Sequence, residues 1–264
     1  MKKLLVLMLV LTGAFTLGAC GESDEELNSL ERIIENGELI LGLDDTFAPM
    51  GFRDEAGDVV GFDIDLAQAV ADALGVDLVI QSIEWDSKVL ELNSGSIDMI
   101  WNGLTITDER LESINFSLPY LNNRQIVLVK SDSAITSIDE LTGLSVGVQI
   151  DSSGQYALEG NDIFSSIDEM VKFNTFTEAL LDLESGRIDA IIIDEIMGRY
   201  IVSQGTYDIL VTDVSLGDEQ YGIGFRLGED ELRIRVDEIL TQLALDGTTA
   251  AISIKWFGED IFRK

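Results

Sequence analysis

The sequence predicts an α/β fold of two similarly planned lobes, and three features carry that expectation. Strand-like and helix-like stretches alternate along most of the chain, the pattern of a largely parallel sheet with helical connections. One passage returns in near copy, as "VLELNSGSIDMI" (89–100) and "LLDLESGRIDAI" (180–191), sharing leucine spacing, Ser-Gly and Ile-Asp before the next strand. The chain has 264 residues, 46% of them hydrophobic, which is enough for one large domain or for two lobes with their own cores.

The beginning is not expected to belong to that fold. "MKKLLVLMLVLTGAFTLGAC" joins the basic Lys2 and Lys3 to an apolar run and small residues before a cysteine. Residues 1–19 are therefore predicted to be a secretory signal peptide, too short and wrongly flanked for a stable membrane span. "LGAC" resembles the bacterial lipobox, after which the cysteine is lipidated. Cys20 is the only cysteine, so it has no disulfide partner. Residues 20–37 then read as a lipidated cysteine, the polar tether "GESDEELNS" and a short helix. In that helix Leu27, Leu30, Ile33 and Ile34 share a face and Gly37 is the stop.

"ELILGLDD" alternates as a strand, and "GFDIDLAQAVADALG" reads as an amphipathic helix. Its inward face is predicted to hold Phe62, Leu66, Ala69, Val70, Ala73 and Leu74, with Gly75 as the stop. "VDLVIQSIEW" is a strand, "DSKVLELNSG" a helix and "IDMIWNGLTI" a buried strand. In "TITDERLES" Thr107 reads as an N-cap followed by Asp108 and Glu109 as first-turn acids. Arg110 then falls at the third helical position, beside the positive end of the helix dipole. Either Glu109, Glu112 or solvent satisfies it, or it awaits an anion from elsewhere.

From Gln125 the pattern starts again. "QIVLVK" is a strand, "SIDELTG" a helix opened by a Ser137/Glu140 capping box, and "LSVGVQI" a strand. The strands that end the two repeat copies run into "WNGLTITDER" and "IIDEIMG", which sets Gly103 opposite Asp194. Ligands gather at the carboxyl ends of strands in open α/β sheets, where both positions lie. Asp194 could equally be a plain N-cap for the helix starting near Glu195.

Several chemistries are missing. No histidine occurs, which removes Ser-His-Asp triads and the usual zinc sites. With Cys20 taken by lipid, no thiol nucleophile remains. Asp63 and Asp65 of "FDIDLAQ" fit a helix's first turn, no EF-hand loop follows, and no phosphate loop occurs. No metal or cofactor is expected. The formal net charge of −32, with no basic patch, argues against nucleic acid as a partner.

Four stretches in order resemble the family 3 solute-binding proteins of ABC importers for polar amino acids. They are "GLDDTFAPMGFRDEAGDVVGFDIDLAQAVADALG", "LELNSGSIDMIWNGLTITDERLESINFSLPY", "LTGLSVGVQIDSSG" and "LALDGTTAAISIKWFG". The resemblance implies a two-lobe fold of the type II periplasmic-binding-protein kind, each lobe a sheet flanked by helices, joined by a two-segment hinge. Lobe one would comprise residues 38–122 and 220–264, and lobe two residues 123–219. An amino acid would bind in the cleft between them for delivery to an ABC permease, and hinge motion would close over it. The protein would be monomeric and lipid-anchored on the outer face of the cell membrane.

Carried over position by position, Arg110 would clamp the ligand's α-carboxylate, aided by Ser152 and Ser153 at a helix N-terminus. The Thr105 hydroxyl and the backbone at Asn102 and Gly103 would hold the ligand's zwitterion, and Asp194 its α-ammonium. Asp44, Phe47, Trp85 and Gln149 would choose the side chain. Phe47 replaces a more usual tyrosine, and Asp151 stands where the family often has glycine. Asp44 and Asp151, with Asp86, would make a negative wall that favours arginine or lysine, then glutamine, over acidic ligands. Some members of this fold are dehydratases of prephenate- or arogenate-like acids; that alternative needs a proton donor, for which Glu84, Asp86 and Asp44 are the candidates.

Replacing Cys20 with serine should leave folding intact and abolish lipid attachment. Mass spectrometry of the membrane fraction checks this; an acyl group on the Cys20→Ser protein would contradict it.

Overall fold

The computed structural model describes residues 27–263. Cys20, the expected signal peptide and most of the tether lie outside them. Among the described residues no helix is long and apolar enough to cross a membrane.

The first part of the chain forms α1 (Ser29–Asn36), β1 (Glu38–Leu43), β2 (Thr46–Phe47), β3 (Gly51–Arg53), β4 (Val59–Val60), α2 (Phe62–Leu74) and β5 (Asp77–Ser82). α3 (Lys88–Ser94), β6 (Met99–Ile100), α4 (Asp108–Leu111) and β7 (Asn115–Phe116) follow. The long β8 (Leu121–Lys130) leads into β9 (Ser145–Gln149), α5 (Ser153–Glu159), β10 (Glu169–Phe173), α6 (Phe176–Ser185), β11 (Ala190–Asp194) and α7 (Glu195–Gln204). β12 (Ile209–Tyr221) returns the chain to β13 (Gly224–Phe225), α8 (Asp230–Asp246) and α9 (Thr248–Phe257).

Two five-stranded sheets result, ordered β5-β1-β6-β13-β7 in the first lobe and β10-β9-β11-β8-β12 in the second. The plan is the same in both. Three parallel strands stand together, and an antiparallel strand occupies the fourth place (β13 in one lobe, β8 in the other). A small antiparallel sheet, β2-β3-β4, sits beside the first. β8 and β12 pair along most of their length and form the two-stranded connection between lobes.

The near-repeat of the sequence has one physical job, done twice. Gly95 and Gly186 each end a helix in the left-handed conformation. The aspartate of each Ile-Asp pair then caps the neighbouring strand: Asp98 Oδ2 accepts from Ile40 N, and Asp189 Oδ2 from Ser145 N, both at 2.9 Å. The isoleucine before it fills the space over a strand glycine, Ile97 over Gly42 and Ile188 over Gly147, where any Cβ would collide.

Some local expectations change. In α1 Ile33 is buried, but Leu27 and Ile34 are exposed, since only one side of this short helix meets the core. In α2 Ala67 and Ala71 are buried while Ala73 is exposed, so the inward stripe lies slightly rotated from the expected one. Asp63 is not a solvated first-turn acid but fully buried. The Ser137–Glu140 segment is a short 3-10 turn rather than an α-helix, though Glu140 does reach back to Ser137 N at 3.0 Å. The expected strand at 97–106 keeps ladder pairing only at Met99–Ile100 and then turns, which frees Asn102 and Gly103, while Thr105 makes a single bridge to Tyr221.

Candidate functional site

Between the lobes a narrow cavity, with room for about one water, is lined by Phe47, Trp85, Asn102, Gly103, Thr105 and Arg110 from the first lobe and by Gln149, Ser152, Ser153 and Asp194 from the second. Ten of the eleven positions singled out in the sequence meet here. The eleventh, Asp44, sits one step behind the lining. Its Oδ2 accepts from Gln149 Nε2 at 2.7 Å across the lobes, and its Oδ1 accepts from Thr46 N and Oγ1.

Arg110 is placed by its local sequence. The Thr107 hydroxyl accepts from Arg110 N at 3.1 Å, the expected N-cap, and that fixes the start of α4. The side chain is only 7% exposed. Its guanidinium donates to two carbonyls, Thr105 O at 2.8 Å and Asp151 O at 3.1 Å, and to no carboxylate among the described residues. Glu109 and Glu112 therefore do not satisfy it. Burial pushes its pKa down, because a desolvated cation with neutral partners is disfavoured.

Asp194 is the anionic counterpart. It makes no side-chain cap to α7. Its Oδ1 accepts instead from Asn123 Nδ2 at 2.7 Å and from Tyr221 Oη at 2.6 Å, both neutral groups. Burial, and then the nearby charge of Glu219, raise its pKa well above the carboxylate range. One lining thus holds a buried cation and a buried acid, neither in an ion pair with an opposite charge among the described residues.

The Gly103 backbone is held against the cavity in a left-handed conformation, φ 59°, and a Cβ there would strike the Phe47 and Tyr221 rings at 2.9 and 3.0 Å. Its N–H donates to Asp63 Oδ2 at 2.7 Å, and Tyr120 Oη donates to the same carboxylate. Burial pushes Asp63 up to about 7. Phe47 and Trp85 are 5% and 7% exposed, and Phe47 leans on Phe176 of the second lobe. Ser152 caps α5 by accepting from Gln155 N at 3.0 Å, and Ser153 is the first residue of that helix.

Sequence reasoning missed Lys88. It is 1% exposed, opens α3 and donates from Nζ to Trp85 O at 3.0 Å, to Asp151 O at 3.1 Å and to the Asp151 carboxylate. A cation at a helix start is the same signal that marks Arg110, and it was there to be read. Asp151 adopts the left-handed conformation, φ 57°, that explains a glycine preference at this position. Its carboxylate also accepts from Tyr156 Oη. The negative wall expected of Asp151 is thus neutralised by Lys88, and Asp86 is exposed. Lys88, in turn, has its pKa lowered to about 8, by burial first and then by Arg110.

The Lys88–Asp151 pair is the one ion pair between the lobes among the described residues. Removing one partner of a buried pair leaves a charge that a closed interface cannot hold. Asp151→Ala should therefore open the lobes, giving a larger radius of gyration in solution scattering with unchanged secondary structure. An unchanged radius would contradict this.

A family model described as bacterial extracellular solute-binding proteins, family 3, matches residues 39–259. An L-cystine-binding protein of Escherichia coli (strain K12) is 31% identical over 261 residues, covering 97% of this chain and 96% of that one. The arginine-binding extracellular protein of Bacillus subtilis (strain 168) is 28% identical over 264 residues, covering 97% and 98%. The crystal structure of an ABC uptake transporter substrate-binding protein from Streptococcus pneumoniae with bound histidine is 38% identical with a TM-score of 0.85, covering 88% of this chain and 97% of that one. These relatives are transport-binding proteins rather than enzymes, and the proton donors a dehydratase would need are poorly placed, since Glu84 and Asp86 are exposed and Asp44 is bonded to Thr46 and Gln149. With its two similarly planned lobes and the cavity between them, the chain belongs to the bacterial extracellular solute-binding proteins of family 3.

Proposed function

We propose that the protein captures one free amino acid in the cavity between its lobes, outside the cytoplasm, and presents it to the membrane subunits of an ABC importer. The observation that carries this reading is the pair of buried groups, Arg110 and Asp194, that share one lining and bond only to neutral partners. An α-amino acid brings the two missing counter-ions in one molecule. Arg110 takes the carboxylate through its planar fork, supported by the Ser152 and Ser153 hydroxyls. Asp194, the Thr105 hydroxyl and the Asn102–Gly103 backbone take the ammonium.

The side chain lies among Phe47, Trp85 and Gln149. Gln149 gives its amide hydrogens to Asp44 and to Asn174 O at 2.7 and 2.9 Å, which leaves its oxygen as an acceptor. Acceptors and aromatic faces suit side chains that donate, either an amide or a cation, and reject a carboxylate. The relatives that bind arginine and histidine fit this preference for side chains that donate. Cys20 carries the lipid that keeps the monomeric receptor at the outer membrane face, and the acidic tether gives it reach.

A thermal-shift panel of the common amino acids on protein lacking residues 1–20 identifies the ligand; a ligand at a thousand times its Kd adds about 4 kcal/mol of stability. Arg110→Ala should abolish that shift, while the stability of the empty protein stays level or rises, because an uncompensated buried cation is removed. An undiminished shift in the Arg110→Ala protein would return this residue to a structural role.

A further inference from the structure

Glu219 was not among the residues marked in the sequence, and it does not touch the cavity. It lies on β12, opposite Asn123 of β8 in the connection between lobes. Its Oε1 accepts from Thr105 Oγ1 at 2.9 Å, from Gln125 Nε2 at 2.8 Å and from Asn123 Nδ2, and it lies 3.5 Å from Ser153 Oγ. One carboxylate oxygen therefore gathers donors from the first lobe, the connecting strand and the second lobe.

Two of those donors, Thr105 and Ser153, line the cavity. A hydroxyl carries a single hydrogen. With the Thr105 hydrogen aimed at Glu219, only its lone pairs remain for a ligand. Gln125 Nε2 donates to Ser153 Oγ at 3.0 Å, so the same network occupies that hydroxyl's neighbourhood. Asn123 Nδ2 donates both to Glu219 and to Asp194 Oδ1, which sets two carboxylates beside one amide. Neither acid is paired with a cation; they bond to Asn123, Tyr221, Thr105, Gln125 and Ser153 and lie close to each other.

We propose that Glu219 is a positioning residue: by taking the Thr105 hydrogen, it leaves the Thr105 hydroxyl able only to accept from a ligand, and its charge at this side of the cavity favours ligands that carry an ammonium group. The proposal rests on the amino-acid reading and adds the means by which the amine is told from other substituents. A glutamine at this position changes the polarity without changing the shape. Its amide can donate to Thr105 Oγ1, freeing the Thr105 hydrogen to point at the ligand.

The test is calorimetric titration with L-arginine, L-glutamine and L-histidine, and with the α-hydroxy acids bearing the same three side chains. Wild type, Glu219→Gln and Glu219→Asp are compared, with unfolding midpoints taken to show that each is folded. Wild type should prefer the amino acid to its hydroxy counterpart. In Glu219→Gln that preference should fall at least tenfold, through weaker amino-acid binding with hydroxy-acid binding held or improved. Glu219→Asp, which keeps the charge but draws it back from Thr105, should lose preference as well. Equal losses for both ligand types would show a merely structural role and overturn the proposal, as would full discrimination in both variants. If wild type itself does not discriminate, the amino-acid reading fails and takes this proposal with it.

Discussion

A guanidinium buried without a carboxylate is the constraint around which the rest of the molecule is arranged. Moving an ion out of water costs several kcal/mol even after relaxation, so Arg110 in an empty cavity is a standing penalty. In the same lining the Asp194 anion is disfavoured too, and its pKa is raised accordingly. A structure keeps two such groups only where their surroundings prevent escape. Arg110 is fixed by the Thr107 cap and by carbonyls on both lobes, and Asp194 by Asn123 and Tyr221 on the connecting strands. Preorganisation of this kind lets the arriving ligand bring both counter-ions without reordering the site.

The two-lobe plan explains how the charges reach each other. Each lobe presents the ends of its parallel strands and the adjoining turns, and the repeated Ile-Asp unit locks the strand that carries those ends. Asp98 and Asp189 do this by the same bond, one in each lobe. The contacts between the lobes include the Asp44–Gln149 bond, the Lys88–Asp151 pair, the Arg110 bond to Asp151 O, the Phe47–Phe176 rings and a further ring pair, Phe52 with Tyr200. Such an interface is polar at its centre, which suits a surface that must separate as well as close.

How far the sequence could be read follows from the range of each interaction. The helix stops at Gly37 and Gly75, the Thr107 cap and the repeat are local signals, and they are present as read. Arg110 was legible because a cation at a helix start breaks a local rule. Lys88 breaks the same rule, but its partner is 63 positions away, and nothing near Asp151 announces it. Asp63 looked like an ordinary first-turn acid because its partners, Gly103 and Tyr120, come from distant turns. Glu219 was hidden in a strand whose pairing with β8 had to be seen before its donors could be counted. The negative wall failed for the same reason: charges of one sign were visible in the sequence, and the lysine that cancels one of them was not assigned to it.

The most direct measurement is a crystal structure of residues 27–263 with the amino acid that gives the largest thermal shift. The ligand's α-carboxylate should lie on the Arg110 guanidinium at about 2.7–2.9 Å, and its ammonium should lie against Asp194, with both lobes contributing contacts. An amino acid bound with its carboxylate away from Arg110, or outside the cavity between the lobes, would contradict the reading of these two buried charges as a site for a zwitterion.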